Sequence, residues 1–308
     1  MDPASQTRAQ HLARVGSRVG SWVLEKLLGW GATSSVYEAV SHENGEHRAI
    51  KILNRSLCSE PLVVERFLHE AYVASAVRHR CIVNVHGDGM SEGSVYLVLD
   101  LLDGETLEER RLHMGKLPVD AVLSIAEELL SALRAVHAAG VVHRDLKPQN
   151  VFVTNHGELK LLDFGSAGVF DPIPGVRRKP MSLDGLVVGS PSYMSPEAAR
   201  GERSKIDARS DLWSLGATLF TLLTNEYVHV AKDPHKRLLA AAVRPARSLG
   251  EAAPWLDAGI VSVIDRALAF DPEARWPDAV AMRRALRSAL AISEPPPSDS
   301  APSAPAIV

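Results

Sequence analysis

The chain has 308 residues, 46% of them hydrophobic and 23% charged, with a formal net charge of −3 at pH 7. That length can bury a sizeable core in one large domain or two modest lobes. The near-neutral balance supplies no global field for a nucleic acid or an anionic membrane, and neither is expected as a partner. Two cysteines, Cys58 and Cys81, are too few for a disulfide framework and lack metal-ligand spacing, which suits a reducing compartment. No apolar run reaches the roughly 18 residues of a membrane span, and the first residues lack the apolar stretch of a signal peptide. The expected location is cytoplasmic.

Residues 1–20 are polar and small and read as a flexible arm. From Ser21, "SWVLEKLLGWGATSSVYEAV" is strand-like around a glycine turn, and "HRAIKIL" reads as a third strand. "EPLVVERFLHEAYVASAV" has helical periodicity, with Pro61 near its start. "CIVNVHGDG" and "SVYLVLD" read as two more strands. The expectation is a five-stranded antiparallel sheet with one helix, ending near residue 102. "PVDAVLSIAEELLSALRAVHAAG" is a long helix stopped by Gly140. Two short strands, "NVFVT" and "ELKLL", follow across the turn "NHGE". Three more helices are expected in "ARSDLWSLGATLFTLLT", "AGIVSVIDRALAF" and "PDAVAMRRALRSALAI". Residues 292–308 are rich in proline, serine and alanine and read as disordered. The fold class is α+β: a small β lobe, a larger mainly helical lobe over about 103–291, and a tail.

Three constellations carry chemistry. In "LLGWGATSSV", Gly29 and Gly31 lie between two strands, and glycine removes the Cβ that would keep a phosphate chain from the backbone. From these residues alone a plain strand-turn-strand hairpin is the better reading. No helix follows directly, which disfavours a dinucleotide fold. Lys51 ends an apolar strand, where it can face an anion or snorkel to water; Glu70, on the following helix, is a possible ion-pair partner. Most informative is "VVHRDLKPQN", a charged run bracketed by apolar residues. Asp145 can accept a hydroxyl proton, Lys147 can neutralise a phosphoryl group, and Asn150 offers an amide oxygen to magnesium. Farther on, "LLDFGS" sets Asp163 at a strand end, read alone equally as a second metal ligand or as a turn-forming aspartate.

With "GWGATSSV", "RAIK", Glu70, "HRDLKPQN", "DFG", "SPE" at 195–197, "DLWSLG" at 211–216 and Arg275 in one order, the chain resembles a eukaryotic-type (Hanks-type) protein serine/threonine kinase, in bacterial style. The resemblance covers about residues 21–291 and implies a bilobal protein kinase fold using ATP and Mg2+. It implies that Leu28, Gly29, Trp30, Gly31, Ala32, Thr33, Ser34, Ser35 and Val36 cover the nucleotide. Lys51 would hold the α- and β-phosphates and pair with Glu70. Leu28, Val36, Ala49 and Phe152 would sandwich the adenine. Leu99 would be the gatekeeper, with the backbone of Asp100 and Leu102 reading the adenine edge. Asp145 would be the catalytic base beside Lys147, and Asn150 and Asp163 would bind magnesium. Glu197 and Arg275 would form a buried ion pair, Asp211 would brace the catalytic loop, and His143 would pack in the core.

Lys147 and Pro148 after Asp145 resemble the serine/threonine branch, as does "GSPSYMSPE". Ser34 replaces the third glycine of the loop and Ser166 follows "DFG" where an apolar residue is more usual. The long segment after Gly165 holds Ser182, Ser190 and Ser192 as candidate autophosphorylation sites, with Arg144 as a phosphate partner and "RRK" at 177–179 assisting. Protein substrates with serine or threonine, and self-association for autophosphorylation, are the implied partners. A scaffold that only holds nucleotide and a small-molecule phosphotransferase are the competing readings; "SPE" with its distal arginine argues against the second.

Overall fold

Alternation decides the small lobe. The strand Ser34–Ser41 alternates half-buried and buried along its whole length, the period of a sheet with one face in a core. In the computed structural model, which describes residues 3–165, 167–169 and 190–293, helix α1 (Pro3–Leu12) leads into β1 (Arg18–Val19), β2 (Trp22–Trp30), β3 (Ser34–Ser41) and β4 (His47–Leu53). Helix α2 (Pro61–Ala76), β5 (Val85–Ser91) and β6 (Ser94–Leu99) complete the lobe. The sheet is antiparallel with order β1-β2-β3-β4-β6-β5.

Six strands therefore stand where five were expected. The sixth, β1, has two residues and folds back on Trp22 and Val23 across the Gly20-Ser21 turn. Two residues are too few to show a period, although a two-residue loop opened by a glycine at φ 60° is a hairpin signal. The segment expected as a flexible arm contains α1 and β1. Residues Cys81–Asn84, read as strand, precede β5, and only Ile82 forms a bridge, to Leu161.

Register sorts the sheet residues onto two faces. Val36 lies opposite Lys51 and Glu38 opposite Ala49, on the face toward the cleft. Ser35 lies opposite Ile52 and Tyr37 opposite Ile50, on the outer face. The outer face builds one core from Val19, Leu24, Tyr37, Ala39, Ile50, Ile52 and Val98. On the other side, Phe67 and Ala71 of α2 pack on Leu53, Val95 and Leu97.

The chain crosses between lobes after Leu99 and enters β7 (Gly104–Thr106), α3 (Leu107–Met114) and α4 (Val119–Ala138). Helix α3 starts on a capping box, Thr106 with Glu109, a signal present in "TLEE". Strands β8 (Val141–Val142), β9 (Val151–Thr154), β10 (Leu159–Leu161) and β11 (Gly168–Val169) form two small sheets, β10-β9-β7 and β11-β8. Helices α5 (Pro196–Ala199), α6 (Ala208–Thr224), α7 (Pro234–Val243), α8 (Leu249–Ala252), α9 (Ala258–Ala267) and α10 (Ala279–Ser293) follow. Every residue of α6 from Ser210 to Leu223 is buried, so this helix is the axis of the large lobe. It packs against α4 and α9, and α10 packs on both of those.

The expectations placed on Ser166, on Arg177 to Lys179, on Ser182 and on residues 294–308 lie outside the described residues. Among the described residues no helix is long and apolar enough to cross a membrane.

Candidate active site

Lys51 is delivered by β4 onto the cleft face, between Val36 and Leu97. Its Nζ donates to both carboxylate oxygens of Glu70 at 2.7 Å and to Asp163 Oδ1 at 3.3 Å. Glu70 shares the buried face of α2 with Phe67, Ala71 and Ala74, a spacing that turns one carboxylate inward among apolar neighbours. Burial alone would lower the Lys51 ammonium, but Asp163 and Glu70 together hold it well above its usual range. Burial pushes the Glu70 carboxyl up and Lys51 opposes; with an ammonium 2.7 Å from each oxygen, the pair is ionised. Burial also works against the Asp163 carboxylate, yet Lys51 and the Gly165 N–H hold it down at about 2. Asp163 Oδ1 accepts that N–H at 3.1 Å.

On the large lobe, the loop after β8 converges on Asp145. Its Oδ2 accepts from Lys147 Nζ at 2.7 Å and from Asn150 Nδ2 at 3.2 Å. Its Oδ1 is buried and has no hydrogen-bond partner among the described residues. Lys147 Nζ also donates to Ser190 Oγ at 2.6 Å. Asn150 Nδ2 donates to the Asp145 carbonyl at 2.8 Å, and the Asn150 carbonyl accepts Leu162 N at 2.8 Å, which ties the loop to the strand leading to Asp163.

Two non-glycine residues of this loop system have left-handed backbones, Arg144 at φ 67° and Asp163 at φ 59°. Such conformations persist where the surroundings over-determine them. For Arg144 the determinant is Asp211, fully buried in α6. Asp211 accepts the His143 and Arg144 N–H groups, each at 2.9 Å, and His137 Nε2 at 2.8 Å. Burial pushes the Asp211 carboxyl up, and these donors outweigh it and hold it low. His143 is wholly buried; its Nε2 donates to the Leu162 carbonyl and its ring meets Phe164 edge-on.

The other expected positions lie on or beside the strands of both lobes. Ala49 pairs with Leu99 across the ladder, Phe152 pairs with Thr106 and Lys160, and Leu28 falls in a bulge between Leu27 and Gly29. Asp100 turns its carboxylate to Asn84 and His86. A Cβ on Gly29 would meet nothing within 4 Å, one on Gly31 only the Ser34 carbonyl at 3.9 Å, and neither residue has positive φ. Nothing among the described residues requires glycine there, and the missing Cβ leaves the backbone open to close approach. Trp30 pairs with Ser35, whose own partner Ile52 lies on the outer face; the Trp30 ring is on the side away from the cleft.

Asn54 was not among the expected residues. Its Nδ2 donates to the carbonyls of Gly31 and Ala32 at 3.1 and 2.9 Å, and its N–H to Thr33, which pins the tip of the glycine loop. Nothing local marks a residue that acts on a loop 23 positions away.

The geometry agrees with the comparisons. The family model "Protein kinase domain" matches residues 22–286. The chain is 36% identical over 282 residues to the serine/threonine-protein kinase Pkn1 of Myxococcus xanthus, covering 90% of this chain and 39% of the relative. It is 36% identical over 294 residues to the serine/threonine-protein kinase PksC of Streptomyces coelicolor, covering 91% and 51%. Among solved structures, the Mycobacterium tuberculosis PknI kinase domain superposes with a TM-score of 0.68 at 25% identity, covering 89% of this chain and 98% of that one. The chain thus spans between two fifths and about half of the length of these curated relatives. On a match that takes in both lobes and every charged group of the cleft, the chain belongs to the protein kinase domain family.

Proposed function

We propose that this chain is an ATP-dependent protein serine/threonine kinase, moving the γ-phosphoryl group of ATP to serine and threonine hydroxyls of proteins. The observation that carries this reading is Asp145 Oδ1, a buried carboxylate oxygen without a hydrogen-bond partner among the described residues, beside the ammonium of Lys147. A buried acceptor is costly to leave bare, and an incoming hydroxyl satisfies it while yielding its proton. Lys147 then faces the charge that develops on the phosphoryl oxygens. Such a base contributes about 10² to 10⁴-fold, and cations on those oxygens supply the larger part.

In this reading Lys51, fixed by Glu70, holds the α- and β-phosphates. The backbone from Gly29 to Val36 covers the phosphates, and Leu28, Val36, Ala49 and Phe152 enclose the adenine. Leu99 lines the back of that pocket, and the Asp100 and Leu102 backbone reads the adenine edge. Magnesium fits the donors: Asp163 is held ionised, and Asn150 spends its amide hydrogens on Asp145 and so keeps its oxygen for a hard cation. When bound, the ion neutralises phosphate charge.

Activation-loop autophosphorylation belongs to the same proposal. Arg144 has a buried Nε without a hydrogen-bond partner among the described residues. Burial, then repulsion from Arg203 and Arg66, lowers its affinity for its proton, with Asp211 opposing; a phosphate there would relieve that strain. Ser182, Ser190 and Ser192 are the candidate acceptors, and Ser190 Oγ accepts from Lys147. Alanine at Ser182, Ser190 and Ser192 together is expected to lower turnover. The kinase domain is taken as residues 21–291, with a second copy as the autophosphorylation partner and a cytoplasmic setting.

The test is phosphate incorporation from labelled ATP with magnesium, wild type against Asp145→Asn, each alone and with a generic basic protein. Label on serine or threonine in the wild type and none in the variant supports the reading. No label in either, with nucleotide binding intact, moves the assignment to a nucleotide-holding scaffold.

A further inference from the structure

The matched family region begins at residue 22, yet residues before it are built into the small lobe. Helix α1 packs against β2. The Arg8 guanidinium sits over the Trp30 ring, 5.7 Å from its centroid. Tyr37 OH, from a side chain with no exposure, donates to the His11 carbonyl at 3.0 Å. Arg14 Nη2 donates to Ser94 Oγ at 3.0 Å at the start of β6, and Gly16 and Ser17 exchange backbone bonds with Leu24 at 2.7 and 3.0 Å. Together these contacts carry the segment from the end of β2, over the outer face, to β6.

Trp30 is the pivot. Its backbone belongs to the glycine loop, between Gly29 and Gly31, while its ring lies on the outer side of the sheet. A force on the ring from outside is therefore a force on the loop that faces the cleft. Asn54 pins the far side of the same loop through Gly31 and Ala32. Among the described residues, Asn54 and Arg8 each reach this loop, and Arg8 belongs to a segment outside the matched region.

We propose that α1 is a strap across the outer face of the small lobe and that Arg8, through the Trp30 ring, is a positioning residue for the nucleotide-covering loop. The consequence for nucleotide rests on the kinase reading; the strap itself does not. Removing a cation from an exposed aromatic face releases a small amount of order, read as a change of about two- to five-fold in an equilibrium.

The test uses the full chain with Arg8→Ala and Arg8→Lys, after a thermal melt shows that both fold. Acrylamide quenching of the Trp30 emission, isolated by subtracting Trp30→Phe, reads the strap directly. Quencher access is expected to rise in Arg8→Ala and to stay near wild type in Arg8→Lys. The dissociation constant for magnesium-ADP and the KM for ATP are expected to rise about two- to five-fold in Arg8→Ala, with the rate at saturating ATP kept. Unchanged quenching in Arg8→Ala overturns the strap. Raised quenching with unchanged nucleotide affinity overturns its role in positioning. A wild type that binds no nucleotide sinks the kinase reading and leaves the quenching result to decide the strap.

Discussion

Arg275 and Glu197, 78 residues apart in the chain, close a two-pronged ion pair at 2.9 and 2.8 Å with neither side chain exposed. Arg275 Nε also donates to the Ala269 carbonyl, and Ser210 Oγ donates to Glu197. The pair joins α5, the start of α6 and the segment before α10, so it locks the region after the activation loop to the large-lobe core. Breaking such a pair from one side strands a buried charge. Arg275→Ala is expected to lower stability by about 3–5 kcal/mol, read as a fall in urea midpoint at unchanged slope. A loss under about 1 kcal/mol, the range of an exposed bridge, would show that the pair is not desolvated in solution.

The same pair sets an acid limit. Burial pushes the Glu197 carboxyl up, but Arg275 and Ser210 outweigh it, so its folded value lies below the usual 4.5. A depressed carboxylate contributes stability that is full above the unfolded value and is lost as pH falls through the folded one. Melting temperature should hold from pH 7 to about 4.5 and then drop. The double variant Glu197→Gln with Arg275→Met should drop less steeply; equal slopes would assign the acid limit to other carboxylates, with Asp211 the next candidate.

Lys51→Met removes the side chain that donates to both Glu70 and Asp163. Losing one preorganised cation from a developing charge costs about 10² to 10³-fold in rate. Phosphate incorporation at saturating ATP is the measurement. Lys51→Arg is not expected to restore it, because a planar fork cannot replace a point charge seated between two carboxylates. Full activity in Lys51→Met would remove Lys51 from the phosphate site.

Gly104 carries the chain out of the interlobe link at φ 149°. A Cβ there would fall 2.2 Å from the Val153 carbonyl and 2.7 Å from Thr154 Cα. Both obstacles are backbone and cannot swing aside. Gly104→Ala should therefore cost about 1–3 kcal/mol and loosen the β7–β9 pairing that sets the Phe152 side of the cleft. Urea midpoints check the first point. Slower hydrogen exchange at Glu105 and Thr106 in the variant than in the wild type would contradict the second.

Much of this protein was determined by the sequence alone, because the determinants are local. The β-branched and aromatic residues around the glycine turn and the periodic face of α4 act through neighbours within a turn or two, and so they read directly. The charged residues of the cleft were also legible, since phosphoryl chemistry limits which side chains serve and the motifs keep them in order. What tertiary structure decided lies where distant segments meet. The strand at Arg18–Val19 is too short to carry a period and exists because Trp22 and Val23 offer it an edge. Helix α1 has no strong apolar stripe, and what holds it are the Tyr37 hydroxyl and the Trp30 ring. The grip of Asn54 on the glycine loop and of Asp211 on the backbone at Arg144 depends on separations of 23 and 67 residues. Closing such distances costs chain entropy that only the assembled core offsets, so those contacts follow from the fold and not from local preference.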